Sequence, residues 1–217
     1  MRFIVTAGPT REPIDPVRYL SNRSSGQMGF AIATAAIEAG HDVVLISGPV
    51  NLEPPNGAQF VSTLTSDEMH DAVHHHAVGC DVLVMCAAVA DYKPAKVAPR
   101  KIKKDEAVFS LELVRTKDIL ASFANRARDF LVVGFAAETE DLEENAEKKL
   151  RHKDCDMVVA NNVSNAKVGM ESAENEVTIL FRNGEKKKIS RAPKRNIARE
   201  LIKIISNMRE KRLTKKM

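Results

Sequence analysis

Phe3-Ile4-Val5, then Thr6-Ala7-Gly8-Pro9-Thr10, and further on Ser21-Asn22-Arg23-Ser24-Ser25-Gly26-Gln27-Met28-Gly29 form the stretch on which the fold turns. The apolar triplet reads as a buried strand. The apolar periodic run Phe30 to Ala39 reads as the first helix. Connections of this kind usually take about 2–6 residues, so the long polar segment between them reads as a ligand loop. Ser24, Ser25 and Gly26 stand where the helix begins, and free backbone N–H groups and the positive end of the helix dipole attract anions there. The two hydroxyls either cap the helix or bond a phosphate. Gly8, Gly26 and Gly29 permit close approach, Arg18 and Arg23 add charge-assisted donors, and Pro9, Pro13 and Pro16 stiffen the loop. The plainer alternative is an ordinary N-cap with two surface arginines.

Working outward, strand and helix patterns alternate. Asp42 to Gly48 reads as a strand buried on both faces, and Gln59 to Leu64 as the next. Thr65 or Ser66 caps a helix to about His76. Asp81 to Cys86, Phe130 to Phe135 and Asp156 to Asn161 are further buried strands. Val108 to Val114 alternates as a strand, Asp118 to Arg126 reads as a helix, and Asp141 to Lys153 as a charged helix. Glu176–Phe181, Asn183-Gly184 and Lys186–Ser190 predict a hairpin with a type I′ turn. A last helix covers Lys194 to Arg209. The expectation is a doubly wound, mainly parallel α/β sheet of Rossmann-like type with helices on both faces, closed by a C-terminal hairpin and helix. Residues 1–210 form one domain with a flap at about 93–106, and 211–217 a frayed basic tail.

With 217 residues, 44% of them hydrophobic but only 5% aromatic, the core is aliphatic. The net charge of +4 fits an anionic small molecule as readily as nucleic acid. The tail lacks the aromatic interleaving or apolar stripe that would argue for RNA or a membrane. Three cysteines without CxxC spacing imply buried thiols and a reducing cytoplasm. Neither a signal peptide nor a membrane span is legible.

In such a sheet, ligands sit beyond the carboxyl ends of the strands. Cys86-Ala87-Ala88-Val89-Ala90-Asp91 offers small side chains against which a base or ribose can lie. Asp91 either binds a ribose hydroxyl or Mg2+, or caps a turn. Arg100-Lys101-Ile102-Lys103-Lys104 is either a flap that closes on a polyphosphate or a solvated charge run. Phe135 stacks on a base or fills the core. Lys149 and Lys153 share a helix face and either reach phosphates or join a salt-bridged surface. The His70 to His76 cluster reads as a polar helix face rather than a metal site. No GxGxxG follows the first strand and no Walker A motif is present, which disfavours a dinucleotide reductase and P-loop chemistry.

TAGPTREPIDPVRYLSNRSSGQMG, CAAVADYKP, KIKK, VGFAAET and the K-x3-K-x2-D-x-VVANN run occur here in order and span nearly the whole chain. Together they resemble the phosphopantothenate–cysteine ligases of bacterial coenzyme A biosynthesis. The resemblance implies joining of 4′-phosphopantothenate to L-cysteine with CTP and Mg2+, through an acyl-cytidylate, releasing pyrophosphate and CMP. It implies a cytoplasmic homodimer, and a stand-alone ligase with a separate decarboxylase protein and no flavin. By motif, Asn22 and Lys101 take catalytic roles, and Arg18, Asn22 and Ala88 bind substrate. Gly8, Ser24, Ser25, Gly26, Met85, Cys86, Ala87, Asp91, Lys101, Lys117, Asp118, Ile119, Leu120, Phe135, Lys149 and Lys153 bind nucleotide, with Asp91 on the metal. Thr116-Lys117 stands where the bacterial pattern has Asn-Pro, so the base preference is open between CTP and ATP. The rival readings are a ligase for another acid and a non-catalytic nucleotide-binding module.

Overall fold

Short aliphatic runs bounded by polar or Gly-bearing segments become the strands of one sheet. A computed structural model describes residues 1–103, 108–162 and 172–214, with the Asn162 side chain outside the description. The order is β1 (Arg2–Ala7), β2 (Arg11–Pro13), β3 (Tyr19–Ser21), α1 (Gln27–Glu38), β4 (Asp42–Ser47), β5 (Ala58–Ser62), α2 (Ser66–Ala77), β6 (Val82–Met85), β7 (Tyr92–Pro94) and β8 (Leu113–Arg115). It continues with β9 (Leu131–Glu138), α3 (Leu142–His152), β10 (Met157–Asn162), β11 (Glu174–Phe181), β12 (Lys186–Pro193) and α4 (Lys194–Thr214).

Eight strands form the main sheet in the order β12-β11-β10-β9-β6-β1-β4-β5. From β5 to β10 the neighbours are parallel, and the β11–β12 hairpin closes the far edge antiparallel. The expected doubly wound sheet is therefore present. Side chains alternate between its faces, as the pleat demands. Phe3, Val5 and Ala7 pack with Phe30 and Ile32 of α1 and with Ile197, Leu201 and Ile205 of α4. Ile4 packs on the other face with Met69 and Val73 of α2 and Ala146 and Leu150 of α3. The chain leaves β1 for β4 and β5, then returns to place β6 on the opposite side of β1. That reversal is a topological switch point, where α/β sheets hold their ligands.

Several local expectations change. The β1–α1 connection is not a plain loop, because β2 and β3 pair within it as a hairpin. Buried Glu12 anchors that hairpin by accepting the Ser66 N–H at 2.8 Å, at the start of α2. Neither Ser24 nor Ser25 caps α1. Gly26 does so with φ 77°, which costs a residue lacking Cβ little, and Ser24 Oγ accepts the Gly26 N–H at 3.4 Å. Of the Val108 to Val114 run, Leu113 and Val114 enter a strand, extended by Arg115, and Val108 and Phe109 are exposed. Their alternation had no sheet face to cover. The Asp118–Arg126 helix shrinks to a 3-10 turn at Ala121–Phe123, held by Asp118 Oδ1 accepting the Ala121 N–H at 2.8 Å and ended before Asn125 at φ 55°. The β11–β12 turn is not type I′, which needs two positive φ values. Gly184 has φ 88° and Asn183 does not share it. The Gly184 N–H reaches the Phe181 carbonyl at 3.0 Å and the Phe181 N–H the Glu185 carbonyl at 3.0 Å, closing a three-residue loop.

The basic end continues the last helix to Thr214. Arg209 is buried against Asp81 at 2.9 Å, and Arg212 reaches Asp156 at 3.3 Å. Arg128 pairs with Asp154 at 2.6 Å and Asp156 at 3.3 Å. These pairs tie the amino ends of β6, β9 and β10 together, opposite the ligand end of the sheet. Among the described residues no helix is long and apolar enough to cross a membrane. Burial pushes the thiols of Cys80 and Cys86 up to about 12 and Cys155 up to about 11, so all are poor nucleophiles.

His41 and His74 couple stability to pH, alongside His76, whose pKa burial also lowers. His41 stacks on Phe3 and meets Ser206 Oγ at 3.1 Å, and His74 stacks on Phe123 and meets Ser122 Oγ at 2.7 Å. Burial is the main cause that lowers both below the ordinary 6.5. A depressed histidine keeps the fold neutral while the unfolded chain takes up protons, so stability is complete above 6.5 and falls as pH drops below it. Calorimetry from pH 7.5 to 5.5 should show a falling Tm, and a flat or rising Tm would refute this coupling.

Candidate functional site

The carboxyl ends of β6 and β9 open into a cleft of about 660 Å³. Ala87 to Tyr92, leaving β6, supplies one wall, and Arg115 to Leu120 supplies another. Met85 and Phe135 contribute from the strand ends. From α3 come Lys148, Lys149, His152 and Lys153. The two walls are tied together: Thr116 Oγ1 donates to the Ala90 carbonyl at 2.6 Å, and the Thr116 N–H to the Asp91 carbonyl at 3.0 Å. Lys117 lies 3.9 Å from Asp67 of α2, which also pairs with Lys93.

The cleft is cationic, and its charges are positioned before any ligand arrives. Lys149 donates to the Phe135 carbonyl at 2.5 Å, and burial lowers its pKa. A desolvated ammonium aimed into a cleft is well suited to a phosphate oxygen. Lys153 pairs with Asp118. Burial alone would raise the Asp118 carboxyl, but the Ala121 N–H and the Lys153 ammonium outweigh it and hold it below 3.8. Asp91 stands exposed on the wall.

Beside this cleft runs the loop that leaves β1. Thr6 Oγ1 accepts the N–H groups of Cys86 and Ala87, both at 3.1 Å. The Ala88 N–H reaches the Gly8 carbonyl at 2.9 Å, the Thr10 N–H reaches the Ala88 carbonyl at 3.2 Å, and the Ala90 N–H reaches Thr10 Oγ1 at 3.0 Å. Asn22 Nδ2 also donates to the Ala88 carbonyl, at 3.1 Å. The loop and the cleft wall are thus stitched along one seam.

The structure brings Met85, Ala87, Asp91, Lys117, Asp118, Ile119, Leu120, Phe135, Lys149 and Lys153 to the cleft. Asn22 and Ala88 meet on the seam. Gly8 and Gly26 are neighbours, since a Cβ on Gly26 would lie 3.4 Å from the Gly8 nitrogen. Gly8, Ser24, Ser25 and Gly26 do not line the cleft. Cys86 packs toward α1 and α4, whereas Ala87 packs on the opposite face. Arg18 is held by Asp15 at 2.5 Å, outside the cleft, and Lys101 is exposed. Of the expected flap, Lys104 to Glu106 lie outside the described residues, as do positions 215–217 of the tail. Sequence reasoning missed Thr6, Thr10, Tyr92, Arg115, Lys148 and His152 at or beside the site. The signal for Lys148 and His152 was present, because they repeat the i, i+4 spacing of Lys149 and Lys153. Among the described residues no group of three or more His, Cys, Asp or Glu side chains could hold a metal ion.

Comparison with known proteins identifies the family of this fold. Residues 1–208 match the family described as DNA/pantothenate metabolism flavoprotein C-terminal domain. The coenzyme A biosynthesis bifunctional protein CoaBC of Vibrio cholerae is 48% identical over 188 residues, covering 85% of this chain and 47% of that protein. The chain spans about half the length of the curated relatives it matches. A crystal structure of the C-terminal domain of a CoaBC protein superposes with a TM-score of 0.83 at 41% identity, covering 97% of this chain and 96% of that one. A Cab2 variant in complex with phosphopantothenate-cysteine shares the fold, with a TM-score of 0.79 at 15% identity, covering 99% of this chain and 88% of that one. By the extent of the match and the shared fold, this chain belongs to the DNA/pantothenate metabolism flavoprotein C-terminal domain family.

Proposed function

We propose that the chain is a CTP-dependent phosphopantothenate–cysteine ligase acting in coenzyme A biosynthesis. The carboxylate of 4′-phosphopantothenate attacks the α-phosphate of CTP, forming an acyl-cytidylate and expelling pyrophosphate. The cysteine amine then attacks the acyl carbon, and CMP leaves with the electron pair of the broken acyl–phosphate bond. The observation that carries this reading is the cationic cleft at the carboxyl ends of β6 and β9, lined by residues from both the Met85–Asp91 and the Lys117–Leu120 motifs.

In this reading Lys149, Lys153 and Lys117 bind and neutralise the triphosphate, and Phe135 lies against the base. Asn22, on the seam between loop and cleft, orients the acyl phosphate. With no nucleophile supplied by the protein, rate comes from positioning and from charge held in place. Mg2+ usually takes one or two carboxylates and completes its shell with substrate phosphates and water. The exposed Asp91 carboxylate on the cleft wall suits that donor set. Asp91 would hold the ion, which would supply further neutralisation of the triphosphate.

A homodimer fits the surface. The hairpins β2–β3 and β7–β8 lie against one another through β2 and β7 and expose Tyr19, Tyr92, Leu113 and Val114. Exposed apolar side chains gathered outside a core mark interaction surfaces.

Lys101→Gln tests the division of labour. In a single turnover, removing one charge that acts on the second step should leave pyrophosphate release within about threefold and slow phosphopantothenoylcysteine formation by about a hundredfold, with acyl-cytidylate accumulating on the enzyme. Full turnover in this variant would refute the role of Lys101.

A further inference from the structure

The turn between β2 and β3 holds a carboxylate whose two oxygens do different work. Asp15 Oδ1 accepts the N–H groups of Val17 at 2.8 Å and Arg18 at 2.9 Å, which is what closing a tight turn requires. Asp15 Oδ2 looks away from the turn. It accepts Arg18 Nε at 3.0 Å and Nη2 at 2.5 Å, and also the N–H of Ile102 at 3.2 Å, 87 residues along the chain. Arg18 Nη2 donates in turn to the Ile102 carbonyl at 3.1 Å. Both polar backbone groups of Ile102 are therefore held by one ion pair. The Ala98 N–H adds a bond to the Ile14 carbonyl at 2.9 Å.

This pair is built for permanence on one side and exposure on the other. The Asp15 side chain is fully buried, whereas that of Arg18 is 44% exposed. The Arg18 guanidinium, first among the causes, holds the Asp15 carboxyl well below the usual carboxylate range, so the acceptor stays charged at any working pH. Past Ile102, the Arg18 guanidinium lies 6.0 Å from the Phe109 ring. The residue next to Ile102 is Lys101.

We infer that Asp15 is a positioning residue for Lys101, fixing the Ile102 peptide through its outward oxygen and through Arg18, so that the neighbouring ammonium is delivered to the acyl-nucleotide. A turn alone needs only Oδ1, so the outward oxygen is what distinguishes this role from local structure. The inference rests on the proposed role of Lys101 in the second half-reaction.

The test compares the two half-reactions in Asp15→Asn, using the full chain with CTP, Mg2+, 4′-phosphopantothenate and L-cysteine. In a single turnover, pyrophosphate release should stay within about threefold of the parent while product formation slows at least about tenfold and acyl-cytidylate accumulates on the enzyme, because a misplaced group loses rate steeply. Equal loss of both steps marks a purely structural role and overturns the inference, as does no loss of either. Should the variant fail to fold, hydrogen exchange on the parent protein decides. The Ile102 amide should exchange at least about tenfold more slowly than those of Lys101 and Lys103, and equal rates overturn the latch. Absence of pyrophosphate release in the parent would sink the ligase reading while leaving the exchange result to judge the latch.

Discussion

Asn22→Asp should lower kcat/KM by at least about a hundredfold while leaving the fold intact. The side chain is exposed and makes one bond, from Nδ2 to the Ala88 carbonyl at 3.1 Å. Its loss costs the fold only about 1 kcal/mol, the net value of such a bond. The cost to function has a different origin. The replacement carboxylate has no proton to give, so it repels the Ala88 carbonyl and the phosphate oxygens in the proposed intermediate. Losing a single donor to developing charge costs about 10²–10³ in rate, and a like charge at that place adds to the loss. Steady-state kinetics alongside thermal unfolding separates the two effects. A kcat/KM within about threefold of the parent would remove Asn22 from the site.

Gly48→Ala should do the opposite and strike the fold first. A Cβ at this position would lie 1.8 Å from the Pro9 carbonyl oxygen and 2.7 Å from its carbon. Both are backbone atoms, so no rotamer relieves the clash. Gly48 cannot retreat freely, since its N–H reaches the Ala7 carbonyl at 3.0 Å and its own carbonyl accepts Ser47 Oγ at 2.8 Å. Pro9 must move instead, and with it the bridge to Ala88 and the Thr10 bonds that stitch loop to cleft. Overpacking of this kind costs about 3 kcal/mol or more. At about 2–4 °C per kcal/mol for a chain of this size, Tm should fall by roughly 6–12 °C. A shift under about 2 °C would show that β1 and β4 separate more easily than their packing implies.

The parts of this fold that follow from burial were legible in the sequence. Phe3-Ile4-Val5, Asp81–Cys86 and Asp156–Asn161 are too apolar to lie anywhere but inside a sheet, and the helices between them force parallel neighbours. Thr65 announced the start of α2 because its hydroxyl accepts the Glu68 N–H. What stayed hidden depends on partners distant in the chain. Nothing local says that Arg11–Pro13 pairs with Tyr19–Ser21, or that Glu12 crosses to Ser66. Phe109 alternates like a strand residue yet has no sheet beneath it. Arg209 and Arg212 look like a charged tail until Asp81 and Asp156 are brought under them. The cleft was legible in outline, since Asp91, Phe135 and Lys149 each stand past a strand or on a helix bound to face it. Its sealing by Thr6, Thr10 and Thr116 was not, because a threonine hydroxyl gives no sign in sequence of which distant backbone group it will reach.

The measurement that bears most directly on the central claim is pyrophosphate release by the purified chain with 4′-phosphopantothenate, L-cysteine and Mg2+, with CTP compared against ATP. The account predicts release with CTP that vanishes when phosphopantothenate is withheld, and much weaker release with ATP. Release with ATP alone would contradict the assigned base and point to the Thr116-Lys117 wall. Binding of nucleotide with no pyrophosphate from either would contradict the ligase itself.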